Sequence, residues 1–272
     1  MRRTSIWLAG ALATACGSED GQLPRPRLEV NLQVTGADNI EPMMNALDAR
    51  GMVATIWLSD AEIDDHCTLI RTYAATGHEV AGKSPTQIRP DTSEAEQRAR
   101  MSAVLTAAEN CGLPAPRGFR ATRFTANDAT GPLLDELGYA YLERSARDEF
   151  LSVFTFEPHE ASDGEYAILP MPIRVAFGNV GSLCDTSASG DLSPEQFFRY
   201  VQAALRSHLT HRGPLILEWH PSLTHPGNAE GWWPAFISTL EALEAHRADV
   251  EYVTAVELVG RRGLAGRNEL PR

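Results

Sequence analysis

Four side chains suited to chemistry stand at or just after the carboxyl ends of predicted strands: Asp38, Lys83, Arg120 and His220. In α/β proteins these strand ends meet at one edge of the sheet, where ligand sites gather. An imidazole there could donate or accept a proton, and a guanidinium could hold a carboxylate by two contacts. An ammonium could bind an acyl or carboxylate oxygen. The spacing therefore predicts one site, built from several strands.

Strand and helix patterns alternate along most of the chain. The run 52–58 is almost continuously apolar, as expected for a strand covered on both faces. About seven β/α units imply a parallel sheet wrapped by helices, either closed as a barrel or open as a doubly wound sheet. Periodicity predicts strands at 28–35, 52–58, 79–81, 118–120, 139–143, 214–219 and 250–254, and helices at 40–50, 64–76, 93–110, 127–137, 193–211 and 232–248.

Residues 77–87 read GHEVAGKSPTQ. This run resembles the second motif of the polysaccharide deacetylases, in which two histidines follow the same Gly-His-Glu start. Further landmarks agree in order and spacing over about residues 28–258: the strand at 54–58, Leu137-Gly138-Tyr139, and the strand that ends in His220. The resemblance implies a distorted seven-stranded β/α barrel occupying residues 28–260, with a C-terminal tail at 261–272. It also implies hydrolysis of acetyl groups on a glycan by a divalent metal such as zinc.

The positions that would bind this metal carry other residues. Lys83 and Gln87 replace the two histidines of the second motif. The two carboxylates of the first motif fall on Thr35 and Gly36, or one residue earlier in a shifted register. Asp38 is the nearby carboxylate.

A bound metal makes water nucleophilic by lowering its pKa, and it needs carboxylate or imidazole ligands. A protonated lysine cannot ligate a cation. The sequence therefore predicts no metal ligands and loss of the family mechanism. Two interpretations of Lys83 stay open: its ammonium occupies the space of the metal, or it is a solvated lysine in a loop.

The resemblance also assigns the other site residues. His220 stands where the family has its catalytic acid, and Arg120 either orients a carboxylate in the site or forms a buried structural ion pair. Asp38 is the candidate replacement carboxylate. Substrate contacts are predicted at Lys83, Trp219 and Trp232, although packing of its helix is an alternative role for Trp232.

The N-terminus predicts export. Residues 1–16 combine two arginines with an apolar run too short to span a bilayer, and residues 17–27 are a polar linker. Leu-Ala-Thr-Ala-Cys, ending at Cys16, resembles a bacterial lipobox, whereas Ala-Thr-Ala alone fits an ordinary signal-peptidase site. The protein is expected in the bacterial cell envelope, lipidated at Cys16, or secreted.

Charge and cysteine content restrict the partners. The formal net charge of −12 gives no support to nucleic-acid binding, and membrane contact is expected through the lipid anchor only. Beyond Cys16, the three cysteines Cys67, Cys111 and Cys184 allow one disulfide and one thiol. Their spacing matches no zinc pattern, and unpaired thiols are the favoured interpretation.

Three functions stay open at this point. The first is an exported protein that binds a glycan or another acylated ligand, with metal-dependent deacetylation lost. The second is an active hydrolase with a site rebuilt around Asp38, Arg120 and His220. The third is a structural envelope protein that uses only the scaffold.

Overall fold

A computed structural model of the protein describes residues 27–144, 159–160, 167–170, 192–211, 214–229 and 231–261. The strands in these ranges are β1 (Leu28–Thr35), β2 (Ala54–Leu58), β3 (Glu79–Ser84), β4 (Gly118–Ala121), β5 (Tyr141–Arg144), β6 (His159–Glu160), β7 (Ala167–Pro170), β8 (Leu215–Trp219) and β9 (Val250–Tyr252). The helices are α1 (Ile40–Asp48), α2 (Asp60–Asp65), α3 (Cys67–Ala75), α4 (Glu94–Asn110), α5 (Thr130–Glu136), α6 (Pro194–His211), α7 (Trp232–Glu244) and α8 (Ala255–Arg261), with a 3-10 turn at Thr122–Phe124.

The strands form one curled sheet in the order β6-β7-β5-β4-β3-β2-β1-β8. Every pairing is parallel except that of β6 with β7. The strand β1 pairs with β8 on one edge, while β2 and β9 share its other edge. A parallel sheet curled within a layer of helices confirms the expected barrel-type α/β fold.

All seven predicted strands are present, with β3 extending to Ser84 rather than ending at residue 81. The helix predicted at 64–76 is two helices, since Ser59 caps a first helix that starts at Asp60. The helix α8 was not predicted. Residues 153–156 read VFTF, a strand-like sequence, but they lie outside the described residues, as do residues 1–16 with Cys16, most of the linker, and Cys184.

The main core lies between the outer face of the sheet and the helices. Alternate side chains of β1 and β8 enter it, because successive residues of a strand point to opposite faces. Trp219 and Trp232 belong to this core, with 1% and 2% of their surface exposed. Both rings pack edge-on against Phe197 of α6. Core packing therefore accounts for these two tryptophans, and neither has surface to offer a substrate.

A cluster of polar side chains around Glu79 lies on the inner face of the sheet, at the amino end of β3. The Glu79 carboxylate accepts hydrogen bonds from Tyr141 Oη at 2.7 Å and from Thr55 Oγ1 at 3.0 Å. It also accepts the backbone N–H of Val256 at the start of α8. The Tyr141 ring reaches Glu79 across Gly118, where a Cβ atom would lie 2.1 Å from the ring. Glycine at position 118 is therefore required by this crossing.

Cys67 and Cys111 form a disulfide that joins the start of α3 to the end of α4. The expectation of unpaired thiols is wrong for these two residues, because the α2–α3 turn brings Cys67 beside the C-cap of α4. The bridge spans 44 positions of sequence. No helix in the described part of the chain is both long and apolar enough to cross a membrane.

Candidate functional site

Arg120 lies at the centre of a buried cluster on the inner face of the sheet. Its Nη1 donates to Glu143 Oε2 at 3.0 Å and to Gln33 Oε1 at 3.2 Å. Its Nη2 donates to Glu218 Oε1 at 2.5 Å and to Thr35 Oγ1. We call these five residues the Arg120 cluster. The guanidinium also lies 4.7 Å above the ring centroid of Trp57, a cation–π contact that adds to its stabilisation.

One guanidinium thus serves two buried carboxylates, and their pKa values separate. Burial raises the pKa of Glu143 to about 7, although Arg120 opposes this rise. Burial also acts to raise the pKa of Glu218, but Arg120, His220 and the Thr35 hydroxyl together bring it down to about 2. Burial likewise acts against the charge of Arg120, and the two glutamates hold its pKa above the ordinary value. Near neutral pH, Glu218 is therefore ionised, whereas Glu143 is partly protonated.

Arg120 is 3% exposed, so it forms the buried ion pair that was one of its two predicted roles. The carboxylates it orients belong to the protein. Such a cluster fixes the relative positions of β1, β4, β5 and β8 at one level of the sheet. Removing Arg120 or Glu218 would leave an uncompensated buried charge, which is a strongly unfavourable state.

Lys83 forms a second ionic contact at the carboxyl end of β3. Its ammonium lies 3.1 Å from both carboxylate oxygens of Glu62, and 16% of its side chain is exposed. We call Glu62 and Lys83 the Lys83 pair. Glu62 is held in turn by Ser59, whose backbone N–H and hydroxyl both donate to Oε2 at 2.7 Å. Lys83 is therefore a fixed and partly buried cation, not a solvated loop lysine.

The position of Glu62 follows from a capping box at the start of α2. The Ser59 side chain accepts the Glu62 backbone N–H, and the Glu62 side chain accepts the Ser59 backbone N–H. Burial alone would raise the pKa of Glu62, but Lys83 and the Ser59 hydrogen bonds lower it below the ordinary value. The carboxylate is therefore ionised and aimed at the Lys83 ammonium.

His220 follows β8 directly, and its Nε2 lies 3.8 Å from Glu218 Oε1. One fifth of its side chain is exposed, so it is the part of this arrangement that a ligand could reach. Glu218 is also the acceptor of the Thr35 hydroxyl, at 2.7 Å. The ionised Glu218 stabilises a positive charge on the imidazole, which is the state a proton donor needs.

Asp38 lies apart from this arrangement. It sits in the turn before α1 with 85% of its side chain exposed, and its carboxylate lies 3.8 Å from His66 Nε2. Arg120 is instead bonded by Glu143 and Glu218. The structure thus brings Arg120 and His220 together through Glu218, and it leaves Asp38 at the surface.

The residues at the family's metal positions do not fit a divalent metal. Thr35 and Gly36 offer no carboxylate, the Lys83 ammonium cannot ligate, and Gln87 offers only an amide oxygen. Within the described ranges, no group of three or more histidine, cysteine, aspartate or glutamate side chains could hold a metal ion.

Three glutamates of the site were not predicted from sequence: Glu62, Glu143 and Glu218. A local signal existed for Glu62, because Ser59-Asp60-Ala61-Glu62 has the capping-box spacing after a predicted strand. Glu218 alternates with apolar residues on β8, which indicates an inward-facing side chain. No local pattern indicated Glu143, because its partner Arg120 lies 23 positions earlier in the chain.

A curled parallel sheet with its polar residues converging at the strand ends is the architecture of a polysaccharide-deacetylase-type barrel. Solved structures share it. A candidate polysaccharide deacetylase from Mycobacterium smegmatis superposes with a TM-score of 0.69 at 18% identity, covering 92% of this chain and 94% of that one. The CE4 domain of a multidomain xylanase from the hindgut metagenome of Trinervitermes trinervoides gives 0.54 at 17% identity, covering 88% and 92%.

A third structure is a CE4 family pseudoenzyme from Bacillus anthracis, with a TM-score of 0.56 at 13% identity, covering 86% of this chain and 66% of that one. A mutant of that protein has restored enzymatic activity. No curated protein sequence matches this chain. Residues 31–142 match the family model of the polysaccharide deacetylases. This match confirms, over that part of the chain, the resemblance that the motifs predicted.

Proposed function

We propose that this protein binds an acetylated glycan at the carboxyl ends of the barrel strands and has lost the family's metal-dependent deacetylation. The observation that carries the proposal is the Lys83 pair. A cation that the protein itself provides stands at a position where the family has a metal ligand, and Glu62 already neutralises it. A second cation placed there would be repelled by the ammonium and would lack carboxylate and imidazole donors.

Three polar residues at the strand ends support binding of a ligand. Arg120, Glu218 and His220 hold a fixed arrangement in which the imidazole is partly exposed. Pseudoenzymes occur on this fold, as the Bacillus anthracis protein illustrates. In the present chain the polar residues at the strand ends remain, while the groups that would activate water through a metal are replaced.

Export belongs to the same proposal. The predicted signal segment and Cys16 support a location in the cell envelope or outside the cell, and the Cys67–Cys111 bridge is consistent with it. Disulfides form and persist in oxidising compartments and are rare in the cytosol.

The test is acetate release by the purified full chain, in mild detergent, from a panel of acetylated glycans with and without a chelator. Binding of the same glycans is measured in parallel by calorimetry. We expect binding and no chelator-sensitive release. Release that the chelator abolishes would show a working metal site and would overturn the proposal. An absence of binding to every glycan, by protein verified as folded, would leave the scaffold role.

One observation favours a second candidate, a hydrolase that works without a metal. His220 lies beside an ionised carboxylate, and such a pair can pass a proton to a leaving group. Here Glu218, rather than Asp38, supplies the carboxylate. Release that persists in the chelator and disappears in His220→Gln would select this candidate. Equal release by wild type and His220→Gln would exclude it.

A further inference from the structure

Lys83 is the only lysine among the 272 residues, although lysine and arginine together number 24. The other 23 residues of this pair of types are arginines. Arginine is a planar fork suited to two-point contacts, whereas lysine presents a compact charge with three donors. The single lysine of the chain lies near the carboxyl end of β3, at the edge of the sheet where the candidate site is found.

Two residues, Gly36 and Glu62, determine the position of the Lys83 ammonium. Gly36 follows β1 with a φ of 94°, and a Cβ atom there would lie 3.3 Å from Glu62 Oε1. The missing side chain thus leaves room for the Glu62 carboxylate, which reaches this point from α2. Glu62 in turn fixes the ammonium of Lys83. The Glu62 carboxylate thus lies beside Gly36, where the resemblance places a metal-binding carboxylate of the family, and the cation that Glu62 binds is the Lys83 ammonium.

The charges in this arrangement select the chemistry of the ligand. Glu62 is ionised, so the Lys83 pair has no net charge. A neutral ion pair with free N–H donors suits an uncharged acceptor such as a carbonyl oxygen. A carboxylate ligand would have to approach the ionised Glu62, which is unfavourable at short range. An ammonium ligand would compete with Lys83 itself.

We propose that the Lys83 ammonium, held by Glu62 against Gly36, donates a hydrogen bond to the acetyl carbonyl oxygen of a neutral N-acetylated glycan. This inference rests on the proposed function and names the ligand group and its receptor. Glu62 accepts from the ammonium at one side, and the ligand carbonyl takes a remaining N–H. The acetyl group is bound but not polarised by a metal, so it is retained.

Calorimetry on the full chain tests the ligand group with three probes of equal length: an N-acetylglucosamine oligomer, its fully deacetylated form, and a uronate oligomer. The variant is Lys83→Met combined with Glu62→Gln, which removes both charges while keeping the side-chain lengths. A charge-assisted hydrogen bond contributes enough that its loss should weaken binding of the acetylated oligomer about 10- to 100-fold. The matched control is Arg199→Met with Glu195→Gln, which changes an exposed pair on α6 in the same way.

A second readout does not depend on variants. Because Lys83 is the only lysine, an amine-acetylating reagent can modify only this side chain and the chain's N-terminus. The acetylated oligomer should slow modification of Lys83, measured by mass spectrometry of the peptide that contains it, while modification of the N-terminus is unchanged. A purely structural role of Lys83 would give no such protection.

The outcomes separate the two proposals. Wild type that binds the acetylated oligomer, with loss of affinity in the double variant and protection of Lys83, supports the inference. Equal binding of the acetylated oligomer by wild type and the double variant overturns it and leaves the proposed function standing. Wild type that prefers the deacetylated oligomer or the uronate counts against both. Wild type that binds none of the three probes overturns both.

Discussion

The Arg120 cluster predicts a specific dependence of stability on pH through Glu143. The change is Glu143→Gln, which keeps the shape of a protonated carboxyl group and its bond to Arg120 but cannot ionise. The pKa of Glu143 in the folded protein is about 7, against an ordinary value of 4.5. Between these two values the folded chain holds a proton that the unfolded chain has released. The stabilisation is therefore complete below pH 4.5 and is lost as the pH rises through 7.

The size of this loss follows from the shift. Each pKa unit corresponds to about 1.4 kcal/mol, so a rise from 4.5 to about 7 corresponds to about 3 kcal/mol. Wild type should lose this amount of unfolding free energy between pH 4.5 and pH 8.5 through Glu143 alone. The variant has no proton to release at this site. The difference in stability, variant minus wild type, should therefore increase by about 3 kcal/mol over that range.

The assay is urea unfolding followed by tryptophan fluorescence, repeated at half-unit steps of pH. Glu195→Gln on α6 is the control, because its carboxylate is 75% exposed and pairs only with an exposed arginine. Its stability curve should run parallel to that of wild type. Parallel curves for Glu143→Gln as well, within about 0.5 kcal/mol, would refute the reasoning, since they would mean that Glu143 ionises with its ordinary pKa in the folded state.

Three further changes test the scaffold around the site. Gly118→Ala would place a methyl group 2.1 Å from the Tyr141 ring, so it should destabilise the protein by about 1–3 kcal/mol in urea, and adding Tyr141→Ala should relieve the clash. Cys67→Ser combined with Cys111→Ser removes a disulfide that spans 44 positions. The chain-entropy model predicts a loss of about 4 kcal/mol in the free energy of unfolding. A reductant should destabilise wild type by a similar amount and leave the variant unchanged. The buried backbone N–H of Ala54 donates to His78 Nδ1 at 3.0 Å. His78→Leu removes this acceptor and should lower the free energy of unfolding by about 1–3 kcal/mol. An unchanged midpoint in urea would contradict this.

The sequence was sufficient for the architecture because that architecture depends on periodic patterns. Apolar runs bounded by turn residues located all seven predicted strands, and their alternation with helices required a parallel sheet. Periodicity could not decide how far the sheet curls, because closure depends on strand tilt and register. The motif at 77–87 supplied that information by resemblance, and the parallel pairings from β1 to β5 agree with it.

The sequence was less informative about the site, and the reason is distance along the chain. Arg120 was identified as a candidate, but its carboxylate partners lie 23 and 98 positions away. Asp38 was preferred because it lies two positions after Gly36, where the resemblance places a carboxylate of the first motif, and it faces solvent. Local patterns describe which face a side chain occupies, whereas contacts between β4 and β8 exist only once the sheet has curled.

The resemblance to the deacetylases, the barrel-type fold and the residues at the family's metal positions could all be predicted from sequence, because apolar periodicity and short motifs are local properties of the chain. The residues that occupy the centre of the site became visible only in the folded structure. It brings Glu62 beside Gly36 and Lys83, and Glu218 beside Thr35, Arg120 and His220. Charge pairing of this kind is set by distances in space, and in a buried environment those distances determine which carboxyl groups ionise.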